Sequence, residues 1–112
     1  MKIKTQNLTG RALDWAVAEA YYQKSPPLKS HFFVLHKHGK MTYPYSTAWD
    51  WGGPIIEREE VLFTRTNDGE MYHAWIVRLN ASATGPTHLT AAMRCFVESR
   101  LGDEVDVPEE LI

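Results

Sequence analysis

The densest chemistry in this sequence lies in residues 43–58, which read Tyr-Pro-Tyr-Ser-Thr-Ala-Trp-Asp-Trp-Gly-Gly-Pro-Ile-Ile-Glu-Arg. Trp49 and Trp51 offer flat apolar faces, while Ser46, Thr47 and Asp50 offer donors and acceptors. Gly52 and Gly53 let a ligand, or another backbone, come close to the main chain. Aromatic and polar groups mixed in this way suit a recognition site on a rigid scaffold. The same composition also suits a structural loop whose tryptophans plug a sheet edge.

A second grouping is Arg11, Asp14 and Trp15. Arg11 and Asp14 are spaced to pair on one helix face. Alternatively, Arg11 points at an anion beside an aromatic ring, as in the reading of a phosphate and a stacked base. On the ligand reading, Trp15, Trp49 and Trp51 stack, Arg11, Arg58 and Arg94 meet phosphate, and the glycine amides meet oxygens. A site is then expected between the first helix and the 45–54 segment, with Trp49, Arg11, Ser46 and Thr47 at its centre.

Catalytic chemistry is less well represented. Glu57, Glu59 and Glu60 surround Arg58, which allows either a carboxylate pair for acid–base work or a solvated face. A hydrolase would draw on Glu57 or Asp50. His36 and His38 have the only metal-like spacing, and neither a cysteine nor a carboxylate accompanies them, so no metal and no cofactor is expected. The patterns GxSxG, HExxH, GxxxxGK[ST] and GxGxxG are absent. Cys95, the single cysteine, lies among Ala92, Met93, Phe96 and Val97 and reads as buried packing. Gly85-Pro86-Thr87 opens a helix whose free amides either hold an anion or simply start the helix.

The elements that must position these residues follow from periodicity. A helix is expected over residues 9–22, capped by Thr9, with Leu13, Ala16, Val17, Ala20 and Tyr21 on one stripe and Trp15 beside it. Pro26-Pro27 ends that segment. Residues 31–36 read as a strand, 37–40 as a turn and 41–43 as a shorter return strand. Residues 45–54 read as a loop, because two glycines and a proline disfavour regular structure. Residues 55–60 are ambiguous, with Pro54 suited to a first helical turn and the glutamates to its positive end.

Residues 61–66 and 72–79 read as strands joined by a tight turn at Asn67-Asp68-Gly69-Glu70. His73, Trp75, Val77 and Leu79 form the more apolar face of the second strand and are expected to meet the core. Residues 80–85 read as a polar connector, and 86–101 as a second helix closed by Gly102. Leu89, Met93, Phe96 and Val97 of that helix are expected to pack on the Trp75 and Val77 face. The acidic tail, 103–112, has Val105, Val107, Leu111 and Ile112 with which to dock. The class is α+β, a small, mainly antiparallel sheet flanked by two main helices.

Composition narrows the partners. A chain of 112 residues is expected to form one domain, 1–112, around one core. The net charge of −2, with Lys and Arg spread along the chain, argues against nucleic acid and an anionic membrane surface. No apolar run approaches the roughly twenty residues of a membrane span, and the first residues do not resemble a signal peptide.

Three blocks of sequence resemble a known family. They are residues 8–18, Leu-Thr-Gly-Arg-Ala-Leu-Asp-Trp-Ala-Val-Ala; then Ser46-Thr47-Ala48-Trp49 with Gly52-Gly53-Pro54-Ile55-Ile56-Glu57; then Gly85-Pro86-Thr87, residues 91–97 and residues 101–105. Together they resemble the NinX-like family of small phage proteins, found among the accessory genes of lambda-like phages and prophages. Ala48 and Trp51 depart from that pattern, which has an acid after Ser-Thr and a polar residue before the glycine pair. Residues 23–42 and 61–83 look individual to this chain. The resemblance implies an accessory protein acting in the bacterial cytoplasm.

Three functions remain open at this point. One is a non-enzymatic binder of a small anionic or nucleotide-like ligand, sequestering a host defence signal. The second is a modulator of a host protein through the aromatic segment. The third is the hydrolase. Homo-oligomers are compatible with each. A concave, arginine-lined cleft would favour the first function, and a flat aromatic patch the second.

Overall fold

A computed structural model describes residues 1–21 and 43–112. The proline stop at Pro26-Pro27, the strand over 31–36, the turn over 37–40 and most of the return strand over 41–43 lie outside these residues, as do His36 and His38.

The described chain is α+β. β1 (Lys2–Lys4) leads through a 3-10 turn (Thr5–Asn7) into α1 (Gly10–Tyr21). Then come α2 (Trp49–Glu59), β2 (Leu62–Arg65), β3 (Tyr72–Ile76), a 3-10 turn (Val77–Leu79) and β4 (Ala81–Gly85). α3 (His88–Leu101), β5 (Glu104–Asp106) and a last 3-10 turn (Glu109–Leu111) complete it. β2, β3 and β4 form an antiparallel sheet in that order, and β1 pairs antiparallel with β5 in a separate ribbon.

α3 is the centre of the molecule. Residues 91–97 are all buried, and the helix packs on β3 and β4 on one side and on α1 and α2 on others. A helix buried around its circumference needs apolar or satisfied residues on every face, which the Ala-Ala-Met-Arg-Cys-Phe-Val run supplies. Thr87 caps it, its hydroxyl accepting from the Thr90 amide at 3.0 Å. Gly102 closes it at φ +90, a positive φ as its position after the helix requires, although outside the left-handed helical well.

The hairpin forms as its local signal requires. The Gly69 amide bonds the Thr66 carbonyl, Gly69 has φ +72, and Asp68 accepts from the Thr66 hydroxyl and the Glu70 amide. The face assignment of β3 is the reverse of the sequence expectation. Ala74 and Ile76 are fully buried, opposite Ala83 and Ala81 of β4, while Val77 and Leu79 are exposed and turn away as a 3-10 segment. Small residues win this face because α3 lies against it: a Cβ on Gly85 would stand 2.7 Å from the Ala91 backbone nitrogen. Trp75 on this face would hold the helix off. Leu89, Met93, Phe96 and Val97 are buried, but Leu89 and Met93 face Gly52 of α2, and the residues of α3 that meet β4 include Ala91, Arg94 and Cys95.

Three further expectations are corrected. Residues 80–85 are not a connector, since 81–85 form β4, whose Ala-Ser-Ala-Thr-Gly sequence lacks the bulky residues that mark strands. β1 was not expected at all; it is read only through its pairing with β5, which also docks Val105, Val107 and Leu111 while leaving Ile112 exposed. The 45–54 loop is largely helical, because α2 begins at Trp49 and runs through Gly52, Gly53 and Pro54. Glu57, Glu59 and Glu60 therefore stand at its C-terminal end, and Asp50 alone occupies the acidic first turn. Gly52 explains the outcome: a Cβ there would meet the Tyr45 carbonyl at 2.5 Å and Leu89 Cδ2 at 2.6 Å, so α2 reaches α3 only without one.

Side chains finish the frame. Gln6 lies beside β4 and meets Thr84 on both sides, its Oε1 accepting from the Thr84 amide (3.0 Å) and its Nε2 donating to the Thr84 carbonyl (2.8 Å). Asp14 Oδ1 accepts from the Ser46 amide at 2.9 Å and joins α1 to the segment before α2.

Candidate functional site

A hollow of about 520 Å³ opens where the start of α2 faces the start of α3. That volume lies within the range of small-molecule sites. Ser46, Thr47 and Trp49 form one wall, Pro86, Thr87, Leu89 and Thr90 the other, and Tyr72 and His88 lie between. Each is placed by its element. The N-terminal turn of α2 projects Trp49 outward at 57% exposure. β3 begins at Tyr72, and α3 begins at His88.

His88 is the hub of the aromatic groups. Its ring lies 3.9 Å from that of Tyr72, 5.0 Å edge-on to Phe63 and 6.3 Å from Trp49. Arg65 covers the other part of this cluster, its guanidinium 5.2 Å from the Tyr72 ring centre. The first amides of α3 have no intrahelical acceptor and carry the positive end of the helix dipole. Thr87 and Thr90 already bond each other, which fixes the hydroxyl rim of the cleft. No carboxylate or thiol lines the hollow among the described residues. The arrangement can stack a planar group and donate to an oxygen.

The structure divides the residues singled out from the sequence. Ser46, Thr47 and Trp49 share this cleft. Asp50, Trp51 and Arg58 instead line a second, smaller hollow of about 190 Å³ with Tyr21, Tyr45, Pro54 and Ile55. There Trp51 packs edge-on to Tyr43 and to Tyr45, both at 5.4 Å. Gly52 and Gly53 are inside α2, and Gly52 serves helix packing.

Arg11, Trp15 and Arg94 are in neither hollow, so the expected site between α1 and the 45–54 segment is not assembled around Arg11. Arg11 neither pairs with Asp14 nor approaches the cleft: its Nη2 donates to the Glu110 carbonyl at 2.7 Å. Trp15 is buried, which resolves its position as core. Arg94 is buried and donates from Nε to the Leu8 carbonyl and from Nη1 to the Thr84 carbonyl, both at 2.8 Å. Burial lowers the pKa of its guanidinium. Cys95 is fully buried, and burial with the negative charge of Glu98 pushes its thiol up to about 12. Such a thiol is inert.

Sequence reasoning missed Tyr72 and His88, which enter the cleft only through the fold. It also missed the surroundings of Glu59. This buried carboxylate accepts from Arg58 Nε (3.0 Å), Arg78 Nη2 (3.1 Å) and Arg100 Nη2 (3.4 Å). Burial pushes its carboxyl up, but the hydrogen bonds and charges of Arg58 and Arg100 outweigh this and hold it below the usual glutamate range. Nothing local distinguishes Glu59 from Glu57 and Glu60, since Arg78 and Arg100 arrive from distant elements.

The family model described as Bacteriophage P22, NinX matches residues 4–100. The chain belongs to the NinX family. The matched span of this NinX-family protein holds every residue of the cleft and Glu59 with its three arginines, while β5 and the tail lie beyond it. A comparison with curated proteins gave no match. No helix among the described residues is long and apolar enough to cross a membrane.

Proposed function

We propose that this small phage protein is a non-enzymatic binder of a small, planar, anionic ligand of nucleotide type, held in the cleft between α2 and α3. The observation that carries the reading is Trp49, more than half exposed, standing over a concave hollow into which the first turn of α3 opens. An exposed tryptophan beside a concave hollow leaves a broad apolar face in water, which a stacked planar ligand would cover. A base would stack on Trp49 or on the His88–Tyr72 pair, and its phosphate would take the open amides of α3. Holding such a ligand unchanged would suit sequestration in a host cell.

Mass spectrometry of small molecules retained on protein purified from infected cells tests this directly, followed by titration with nucleoside mono- and diphosphates. A stacked base contributes about 1–3 kcal/mol by alanine substitution, so Trp49→Ala should weaken binding by about one to two orders of magnitude. A protein that carries no ligand, and whose affinity for every nucleotide is untouched by Trp49→Ala, would exclude the proposal.

A further inference from the structure

Glu59 and its arginines form a second feature, outside the cleft and independent of it. One carboxylate balances one guanidinium, yet three converge here. Among the described residues no other carboxylate pairs with Arg58, Arg78 or Arg100. Two positive charges are left uncompensated within the cluster, on a chain whose net charge is −2.

Each guanidinium is also held by a second contact. Arg58 lies 4.8 Å from the Tyr21 ring centre, Arg100 lies 5.3 Å from that of Phe96, and Arg78 Nη1 donates to the Glu59 carbonyl at 2.7 Å. Their side chains remain 47%, 49% and 38% exposed for Arg58, Arg78 and Arg100. A guanidinium carries five N–H donors, and Glu59 takes one from Arg58, two from Arg78 and one from Arg100.

We propose that the Arg58–Arg78–Arg100 cluster is a binding site for a phosphate-type dianion, with Glu59 as its positioning residue. The physical argument is preorganisation. Like charges brought this close repel, and the buried carboxylate holds them together while neutralising only one. Arginine presents a planar fork that matches two phosphate oxygens, and forks already fixed by stacking and by Glu59 lose little freedom on binding. The incoming dianion would neutralise the excess charge, so the site is complementary to it in charge. Tethering also explains why the guanidiniums stay half exposed: their heads are fixed at the surface, where an anion reaches them.

The test is titration of the whole protein with inorganic pyrophosphate, read from the arginine Nε–H resonances, with thermal melting of each variant alongside. Pyrophosphate should shift the Arg58, Arg78 and Arg100 signals, with an affinity that falls as salt rises. Arg100→Gln removes the longest of the Glu59 bonds, keeps two arginines on the carboxylate and should leave the fold intact. It should weaken binding about tenfold, the value of one charge-assisted contact. Arg100→Lys should also weaken it, since an ammonium offers no fork. The response of the arginine signals, and its loss in Arg100→Gln, separate this site from the cleft, whose α3 amides would take a phosphate whether or not Trp49 is present. The proposal is overturned if pyrophosphate leaves those signals unmoved at millimolar concentration. Undiminished affinity in Arg100→Gln, or equal affinity for glutarate at matched ionic strength, would also overturn it.

Discussion

Glu59 shows how one residue can be read only with its distant partners in view. Its folded pKa lies below the ordinary value, so its stabilising contribution is complete above the unfolded value of about 4.3. It is lost as pH falls through the folded value, because protonation then favours the unfolded chain. Wild-type stability in urea should therefore fall more steeply below about pH 4.3 than that of Glu59→Gln. The same substitution at neutral pH should cost about 1–3 kcal/mol, less than for a wholly buried pair because the arginines are half in water. Parallel pH profiles of the two proteins would count against this account. Cys95 gives a second expectation at this scale. A thiol pushed up to about 12 and fully buried should be labelled by a thiol reagent no faster than the protein unfolds, as a stopped-flow or mass-shift assay would show.

Among the elements, α2 and the β2–β4 sheet show what was legible and what was not. The Asp68–Gly69 turn was readable because four neighbouring residues determine it. The helices α1 and α3 were readable from spacing. The inward face of β3 was misread because bulk hydrophobicity favoured Trp75 and Val77, whereas the approach of α3 selected Ala74, Ala81, Ala83 and Gly85. β1 and β4 went unseen because only their partners make them strands. The site divides in the same way: Ser46, Thr47 and Trp49 lie within four residues and were found together, while Tyr72 and His88 needed the sheet and α3 in place.

The glycine pair of α2 permits a sharp contrast. Gly52→Ala should destabilise by about 1–3 kcal/mol, since backbone of Tyr45 and side chain of Leu89 both stand in its way. Outside its chain neighbours, Gly53→Ala meets nothing closer than Trp49 Cε3 at 3.7 Å; the helix propensity gained is offset by its Cβ pressing on the Pro54 ring, so stability should change by less than about 1 kcal/mol. Urea melts of the two variants decide the matter, and equal effects would mean that α2 is not seated on α3 as described.

For the molecule as a whole, α3 is the element on which everything else is assembled. Phe96→Ala, which empties a fully buried position on that helix, should cost about 3–5 kcal/mol in denaturant unfolding, and a loss below about 1 kcal/mol would contradict the central place of α3. The amide of Gln6, donating to and accepting from Thr84, has a consequence for how copies of the protein meet in solution. A β-edge is an open template, and any second strand that finds it can extend the sheet without limit. Among the described residues β4 is such an edge. There one side chain imitates a neighbour for a single residue and then stops, so it offers no edge of its own. Gln6→Ala should therefore leave unfolding nearly unchanged while making concentrated solutions scatter light, a loss of colloidal behaviour with the fold intact.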